Sequence, residues 1–223
     1  MVNKFLFATH NPSKVKRFQT HLKNSNVVLL STKELELAKI DPAETGSNEE
    51  ENALIKAKAY YDLVKNNYEI KGVVSLDTGF YIYNIPKSKQ PGKHVQRIAG
   101  VKENTTDQEK FELMTNYYRK IARNMGGFAE SYFLDVFCLF DGQNIKYAKA
   151  KRPAFLTDKI FREDVHFPIA SIYTVTKNGK YYHDLNTQEM ADYISPYLQA
   201  LVQLLITIYF LFLIKMLIII TKL

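Results

Sequence analysis

The sequence predicts an α/β protein built on one mixed sheet. Strands and helices alternate through roughly the first half, and the second half is dominated by hairpin patterns. The 223 residues are 46% apolar, enough for a sizeable core, which excludes a disordered or disulfide-stapled scaffold.

Residues 4–9 (KFLFAT) read as a short buried strand. Asn11-Pro12 opens a helix, with Asn11 as N-cap and Pro12 in the first turn, and Val15, Phe18 and Leu22 form its apolar face. Residues 27–30 give a second strand. Ser47-x-x-Glu50 predicts a capping box, followed by Leu54, Ala57, Tyr61 and Val64 at helical spacing. Residues 72–76 (GVVSL) form a buried strand, with 80–85 as its neighbour across Asp77-Thr78-Gly79. A basic loop over 87–93 follows. Thr106-x-x-Glu109 caps another helix whose inner side is Phe111, Met114, Tyr118 and Ile121. Beyond Gly126-Gly127, residues 128–140 and 144–155 predict a long hairpin turned at Asp141-Gly142. A second hairpin, 169–176 with 180–183, turns at Asn178-Gly179. Asn186 with Glu189 caps a last helix, which Ser195-Pro196 restarts because proline suits a first turn better than an interior.

The net charge is +7 and two of the lysines lie in the C-terminal tail. The excess suits a phosphate-bearing partner and falls short of a nucleic-acid polymer binder. A single cysteine, Cys138, permits no internal disulfide and no zinc cluster, which fits a reducing, cytoplasmic setting. Residues 1–8 lack the apolar stretch of a secretory signal.

Polar residues collect at the strand ends, where α/β proteins place their sites. Thr9, Asn11 and Lys14 lie at the first strand-to-helix junction, an arrangement suited to an anion, although an ordinary N-cap with a solvated basic face looks similar. Glu44-Thr45-Gly46 precedes the second helix, which carries Asn52 and Lys56. Asp77 ends the central strand. Glu44 and Asp77 are hard oxygen donors that could share a Mg²⁺ whose other ligands are phosphate oxygens and water.

Together these segments resemble the inosine/xanthosine triphosphate pyrophosphatases. Thr9-His10-Asn11-Pro12-Ser13-Lys14 matches that family's T-x-N-x-x-K. Glu44-Thr45-Gly46, then Glu51-Asn52-Ala53 through Lys56-Ala57, matches E-T-G…E-N-A-x-x-K-A. Ser75-Leu76-Asp77-Thr78-Gly79-Phe80 resembles D-D-S-G-L, and Pro91-Gly92 with Arg97 and Gly100 resembles P-G-x-x-S-A-R-x-x-G. The resemblance implies an elongated mixed sheet with two lobes around a central cleft. It also implies Mg²⁺-dependent hydrolysis of non-standard purine nucleoside triphosphates (ITP, dITP, XTP) to the monophosphate and pyrophosphate, by a homodimer. Carried onto this sequence, Glu44 and Asp77 become metal ligands, with Asp77 and Lys14 catalytic and Asp77 serving as general base or ligand. Thr9, Asn11, Lys14, Asn52, Lys56, Thr78, Gly79 and Arg97 become substrate contacts.

The departures fall mostly on the base-reading half. The first aspartate of D-D-S-G is Leu76, and the S-A before the arginine is Val95-Gln96. F-G-Y-D has only Phe167-Pro168-Ile169-Ala170-Ser171 near it, and S-H-R appears as Ser195-Pro196-Tyr197, while Ala200-Leu201 and Leu204 retain the A-L-x-x-L that follows. Base discrimination is therefore expected to be looser than, or different from, the family's. The alternative is a catalytically silent nucleotide-binding relative. Asp77-Thr78-Gly79 also fits the D-T-G of aspartic proteases, but that chemistry needs a second such motif or a symmetric dimer; the chain holds no second motif, and the surrounding segments resemble the pyrophosphatases. His94, His166 and His183 lack metal-ligand spacing, and Cys138 reads as a core thiol.

The pattern divides the chain into a 1–205 domain and a 206–223 extension. The packed face of the domain's last helix should be Tyr197, Leu198, Leu201 and Leu205. From 201 onward, 18 of 23 residues are hydrophobic, and from 206 only Thr207, Lys215, Thr221 and Lys222 interrupt the run. A bilayer span wants about 20 apolar residues, and a central lysine costs roughly 3 kcal/mol. The expectation is a helical extension, dispensable for catalysis, that makes the chain membrane-associated or aggregation-prone. An extension of the reading frame past an ancestral stop would look the same.

Overall fold

A computed structural model describes residues 2–9, 12–22, 25–67, 69–95, 98, 100–102 and 104–220, with the side chains of 12–14, 17, 21 and 207–220 outside the description. Among the described residues six strands form one sheet in the order β2-β1-β3-β4-β5-β6. They are β1 (Asn3–Phe7), β2 (Val27–Ser31), β3 (Ile70–Ile82), β4 (Phe128–Phe140), β5 (Ile145–Thr157) and β6 (Tyr173–Thr174). The helices are α1 (Pro12–Leu22), α2 (Glu49–Val64), α3 (Asp107–Asn124) and α4 (Thr187–Ile220). The sheet is mixed: β1 is parallel to both β2 and β3, and β5 is antiparallel to β6.

The chain forms two compact units. The first comprises residues 1–77, 135–150 and 197–223, and the second 78–134 and 151–196.

In the first unit, β1 buries Phe5, Leu6 and Phe7. The Phe18 ring of α1 meets the rings of Phe7, Phe137 and Tyr197 at centroid distances of 5.3, 5.8 and 5.0 Å. Tyr197, Leu198, Leu201 and Leu205, the face expected of α4, are all buried, whereas Ile206 is 40% exposed. Among the described residues no helix is long and apolar enough to cross a membrane.

In the second unit, Phe80 lies edge-on to Tyr118 and against Phe133, at 5.7 and 4.8 Å. Phe133 in turn meets Phe167 and Tyr173. The side chain of Gln90 pairs with Ile82 as a strand would: its Oε1 accepts from the Ile82 N–H at 2.8 Å and its Nε2 donates to the Ile82 carbonyl at 2.6 Å.

Several sequence expectations are corrected. The cap of α2 is Asn48, not Ser47: Asn48 Oδ1 accepts from the Glu51 N–H, while Ser47 gives its N–H and hydroxyl to the Glu51 carboxylate. The buried set of α2 is Glu49, Asn52, Ala53, Ala57, Tyr60 and Val64, without Leu54 and Tyr61. Residues 70–82 form one strand rather than two. The inward-facing Ser75 and Asp77 find partners on α2, so the strand has no need to break there. On α3 the capping box is present, but Ala122, not Ile121, completes the buried face.

The second hairpin shrinks to β6 plus a bridge between Thr174 and Tyr181, because Pro168–Ile172 and Tyr182–Asp184 close into 3-10 turns. Asn186 and Glu189 cap α4 reciprocally as expected. The helix does not restart at Pro196. That residue and Asp192, four positions earlier, are both exposed, so the carbonyl deprived of its N–H donor lies on the solvent side.

Candidate functional site

The first unit fixes the place of the site by topology. β1 leads through α1 to β2 on one side, and β3 lies on its other side. The carboxyl ends of β1 and β3 therefore form a topological switch point, where open α/β sheets bind ligands. Phe7 is in register with Val74, so β3 runs on past the end of β1 and carries Asp77 there.

Alternation along β3 turns Val73, Ser75 and Asp77 to one side. Three contacts tie this row to α2. The Ser75 hydroxyl donates to the Ala53 carbonyl at 2.5 Å, the Asn52 amide Nδ2 approaches Asp77 Oδ2 at 3.5 Å, and Lys56 Nζ reaches Asp77 Oδ1 at 2.7 Å. Asn52 and Lys56, four residues apart, share one face of α2.

Glu44 reaches the same ammonium from the loop before α2, with Oε1 at 2.7 Å from Lys56 Nζ. That loop is pinned at two points. The Tyr60 hydroxyl donates to the Ile40 carbonyl at 3.1 Å, and the Gly46 N–H donates to Asn52 Oδ1 at 2.9 Å. Position 46 has to be glycine. A Cβ there would stand 2.6 Å from Glu51 Cβ and 2.7 Å from Asn52 Oδ1.

The result is a three-charge cluster, with Asp77 buried at 7% exposure and Lys56 and Glu44 half-buried. Burial pulls the Lys56 pKa down, and is its largest single influence. The charges of Asp77 and Glu44, with their hydrogen bonds, together outweigh it, so the pKa sits above the ordinary lysine value.

The other expected site residues are distributed as follows. Thr9 follows β1, its N–H donating to the Phe7 carbonyl at 2.7 Å and its own carbonyl accepting from the Thr32 hydroxyl at 3.0 Å. Thr78 and Gly79 are the next residues of β3 and begin the second unit. Asn11 and Arg97, and the side chain of Lys14, lie outside the described residues. A groove of about 510 Å³ lined by Val15, Lys16, Gln19, Ser31, Lys33 and Glu34 flanks α1 and contains none of the Glu44, Lys56 and Asp77 cluster.

The sequence pattern includes Ser75 in the matched segment without giving it a role, although a hydroxyl at an inward position of an apolar strand was the signal, and it passes over Asp135, a fully buried acid within β4. In the second unit, Pro168–Ile172 is buried, with Phe167 half-buried before it, and Tyr181 stacks on Phe161 at 4.5 Å.

The donor chemistry suits a divalent cation. Two carboxylates converge on one position that a cation, the Lys56 ammonium, already occupies. Among the described residues no group of three or more His, Cys, Asp or Glu could hold a metal alone. A cation bound here would draw its remaining ligands from substrate oxygens and water, as Mg²⁺ commonly does.

The sequence profile of the Ham1 family matches residues 5–206. A dITP/XTP pyrophosphatase of Caldanaerobacter subterraneus subsp. tengcongensis is 30% identical over 190 residues, covering 83% of this chain and 86% of the relative. A protein of the same name from a Thermoanaerobacter species is 28% identical over 201 residues, covering 90% and 94%. The fold is similar to that of the Staphylococcus aureus Ham1 protein, with a TM-score of 0.65 at 22% identity over 90% of this chain and 98% of that one. It is also similar to a HAM1 protein from Coxiella burnetii, with a TM-score of 0.67 at 21% identity over 93% and 100%. With the family profile matching residues 5–206 and a relative 30% identical over most of both chains, the chain belongs to the Ham1 family.

Proposed function

We infer that the protein hydrolyses non-standard purine nucleoside triphosphates, such as inosine and xanthosine triphosphates and their deoxy forms, to the monophosphate and pyrophosphate. The observation that carries this reading is the Glu44, Lys56 and Asp77 cluster at the switch point, with 2.7 Å from the ammonium to each carboxylate. The names of the relatives, dITP/XTP pyrophosphatases, support the substrate class.

In this proposal Glu44 and Asp77 hold a Mg²⁺, which when bound neutralises phosphate charge and polarises the phosphorus. Lys56 turns from the carboxylates to the phosphate oxygens as a point charge. Lys14, Asn11 and Thr9 orient the phosphates, and Arg97, Thr78 and Gly79 add contacts. Water attacks the α-phosphorus, and Asp77 takes its proton or holds the cation. The bond to the pyrophosphate leaving group breaks. A cytoplasmic homodimer belongs to the same proposal.

The test is pyrophosphate release with Mg²⁺ over inosine, xanthosine, guanosine and adenosine triphosphates, for the wild type and Asp77→Asn. Turnover by the wild type with loss of orders of magnitude in the variant supports the reading. No turnover of any triphosphate by the wild type overturns it. Because the base-reading segments differ, the kcat/KM ratio between deaminated and standard purines is expected to be small. A site that hydrogen-bonds a carbonyl can discriminate by about 10⁴-fold, whereas an apolar pocket gives about 10²-fold.

A further inference from the structure

The sequence resemblance assigns Asn52 to the substrate, but both ends of its amide are engaged within the protein. The side chain is buried at 1% exposure. Its Oδ1 accepts the Gly46 N–H at 2.9 Å, and its Nδ2 points to Asp77 Oδ2 at 3.5 Å. Gly46 stands two residues beyond Glu44 and closes so tightly on Asn52 that no side chain fits between them. One amide thus touches the loop carrying one carboxylate and, directly, the other carboxylate.

We propose that Asn52 is a positioning residue that sets the spacing and orientation of Glu44 and Asp77, which rests on the reading of those two as the metal-holding pair. Three features make it suited to that task. It projects from α2, a regular sixteen-residue helix with a side-chain cap, so its own Cα is fixed. Its neighbour Ala53 is bonded through its carbonyl to Ser75, two residues before Asp77 on the same face, so helix and strand are held in register at this height. An asparagine also presents an acceptor and a donor at once. The acceptor satisfies a backbone N–H, and the donor faces a carboxylate. No aspartate, leucine or alanine supplies both.

The Asp77 Oδ1 is bound to Lys56, and its Oδ2 faces Asn52. If Lys56 turns to the phosphates, Asn52 is what continues to orient the carboxylate. Displacements of about 1 Å in such a pair lower turnover by about 10²-fold, so the role should appear in kcat.

The experiment uses the full chain with inosine triphosphate and Mg²⁺, comparing wild type, Asn52→Ala and Asn52→Asp. It reads kcat, KM, the Mg²⁺ concentration for half-maximal rate, and hydrogen exchange of the Gly46 amide. In Asn52→Ala, exchange at Gly46 is expected to accelerate by about tenfold or more because its acceptor is gone. A fall in kcat of about tenfold or more, with KM within about threefold, marks lost positioning rather than lost substrate binding. Asn52→Asp keeps an acceptor for Gly46 and sets a carboxylate against Asp77. Its Gly46 amide should stay protected while kcat falls and the Mg²⁺ requirement shifts. If Asn52→Ala does not fold, Asn52→Asp decides alone.

A tenfold rise in KM at unchanged kcat in either variant overturns the proposal in favour of a substrate contact. Wild-type kcat and Mg²⁺ requirement in Asn52→Asp also overturn it. A wild type that turns over no triphosphate overturns the proposed function instead. Gly46 exchange then decides the matter for Asn52: faster exchange in Asn52→Ala supports positioning, and unchanged exchange overturns it.

Discussion

The ammonium of Lys56 stands 2.7 Å from a carboxylate oxygen of Asp77 and 2.7 Å from one of Glu44, joining a helix, a strand and a loop through one positive charge. With Lys56 removed, two carboxylates that share its charge would face each other across the gap. Lys56→Met is expected to lower stability by about 1–3 kcal/mol, below the loss seen for fully buried pairs because the cluster is partly wet. It should reduce turnover by about 10²-fold. Thermal melts and steady-state rates measure both. A variant as stable and active as the wild type would show that the cluster has neither role.

The pH dependence of that cluster has a defined sign. The folded pKa of Lys56 lies above its ordinary value of 10.5, so its stabilisation is complete below that value and is lost as pH rises through the folded pKa. The melting temperature difference between wild type and Lys56→Met should therefore be constant from pH 6 to pH 9 and shrink above about pH 10.5. A difference that shrinks on acidification through neutrality would contradict the assignment.

Gly46→Ala tests the close approach of the loop to α2. The added methyl would meet Glu51 Cβ at 2.6 Å and the Asn52 backbone N at 2.8 Å, neither of which can swing away freely. A loss of about 1–3 kcal/mol is expected from overpacking, together with reduced turnover as Glu44 is displaced. Chemical denaturation and pyrophosphate release read the two effects. Wild-type stability would mean that the loop can yield.

Cys138 is fully buried on β4, and burial pushes its thiol pKa up to about 12. Because the thiolate is the reactive form, the folded protein should react with an aromatic disulfide reagent at pH 8 at least about 10²-fold more slowly than the denatured chain. Equal rates would mean that the strand opens readily.

A chain ending at Leu205 should keep its fold and full activity, because it retains the buried face of α4 formed by Tyr197, Leu198, Leu201 and Leu205. Activity, a thermal melt and flotation with lipid vesicles, compared with the full chain, address the 206–223 extension. Loss of folding on truncation would place the extension in the core and defeat this expectation.

Much of this protein is determined locally. The strands β1 and β2, the helices, the α3 and α4 capping boxes and the β4–β5 turn follow from period, caps and turn residues, which act within a few positions of one another. Glu44, Lys56 and Asp77 were legible as candidates because their types and order resemble a known family. What the sequence misjudged was decided by contacts across long separations. β3 reads as two strands until Asp77 and Ser75 are seen to be satisfied by residues 21 and 22 positions earlier. The second hairpin reads as strands until its residues are seen to bury themselves as 3-10 turns. A buried polar group takes its meaning from the partner that satisfies it. That partner is chosen by tertiary packing, and no local pattern encodes it.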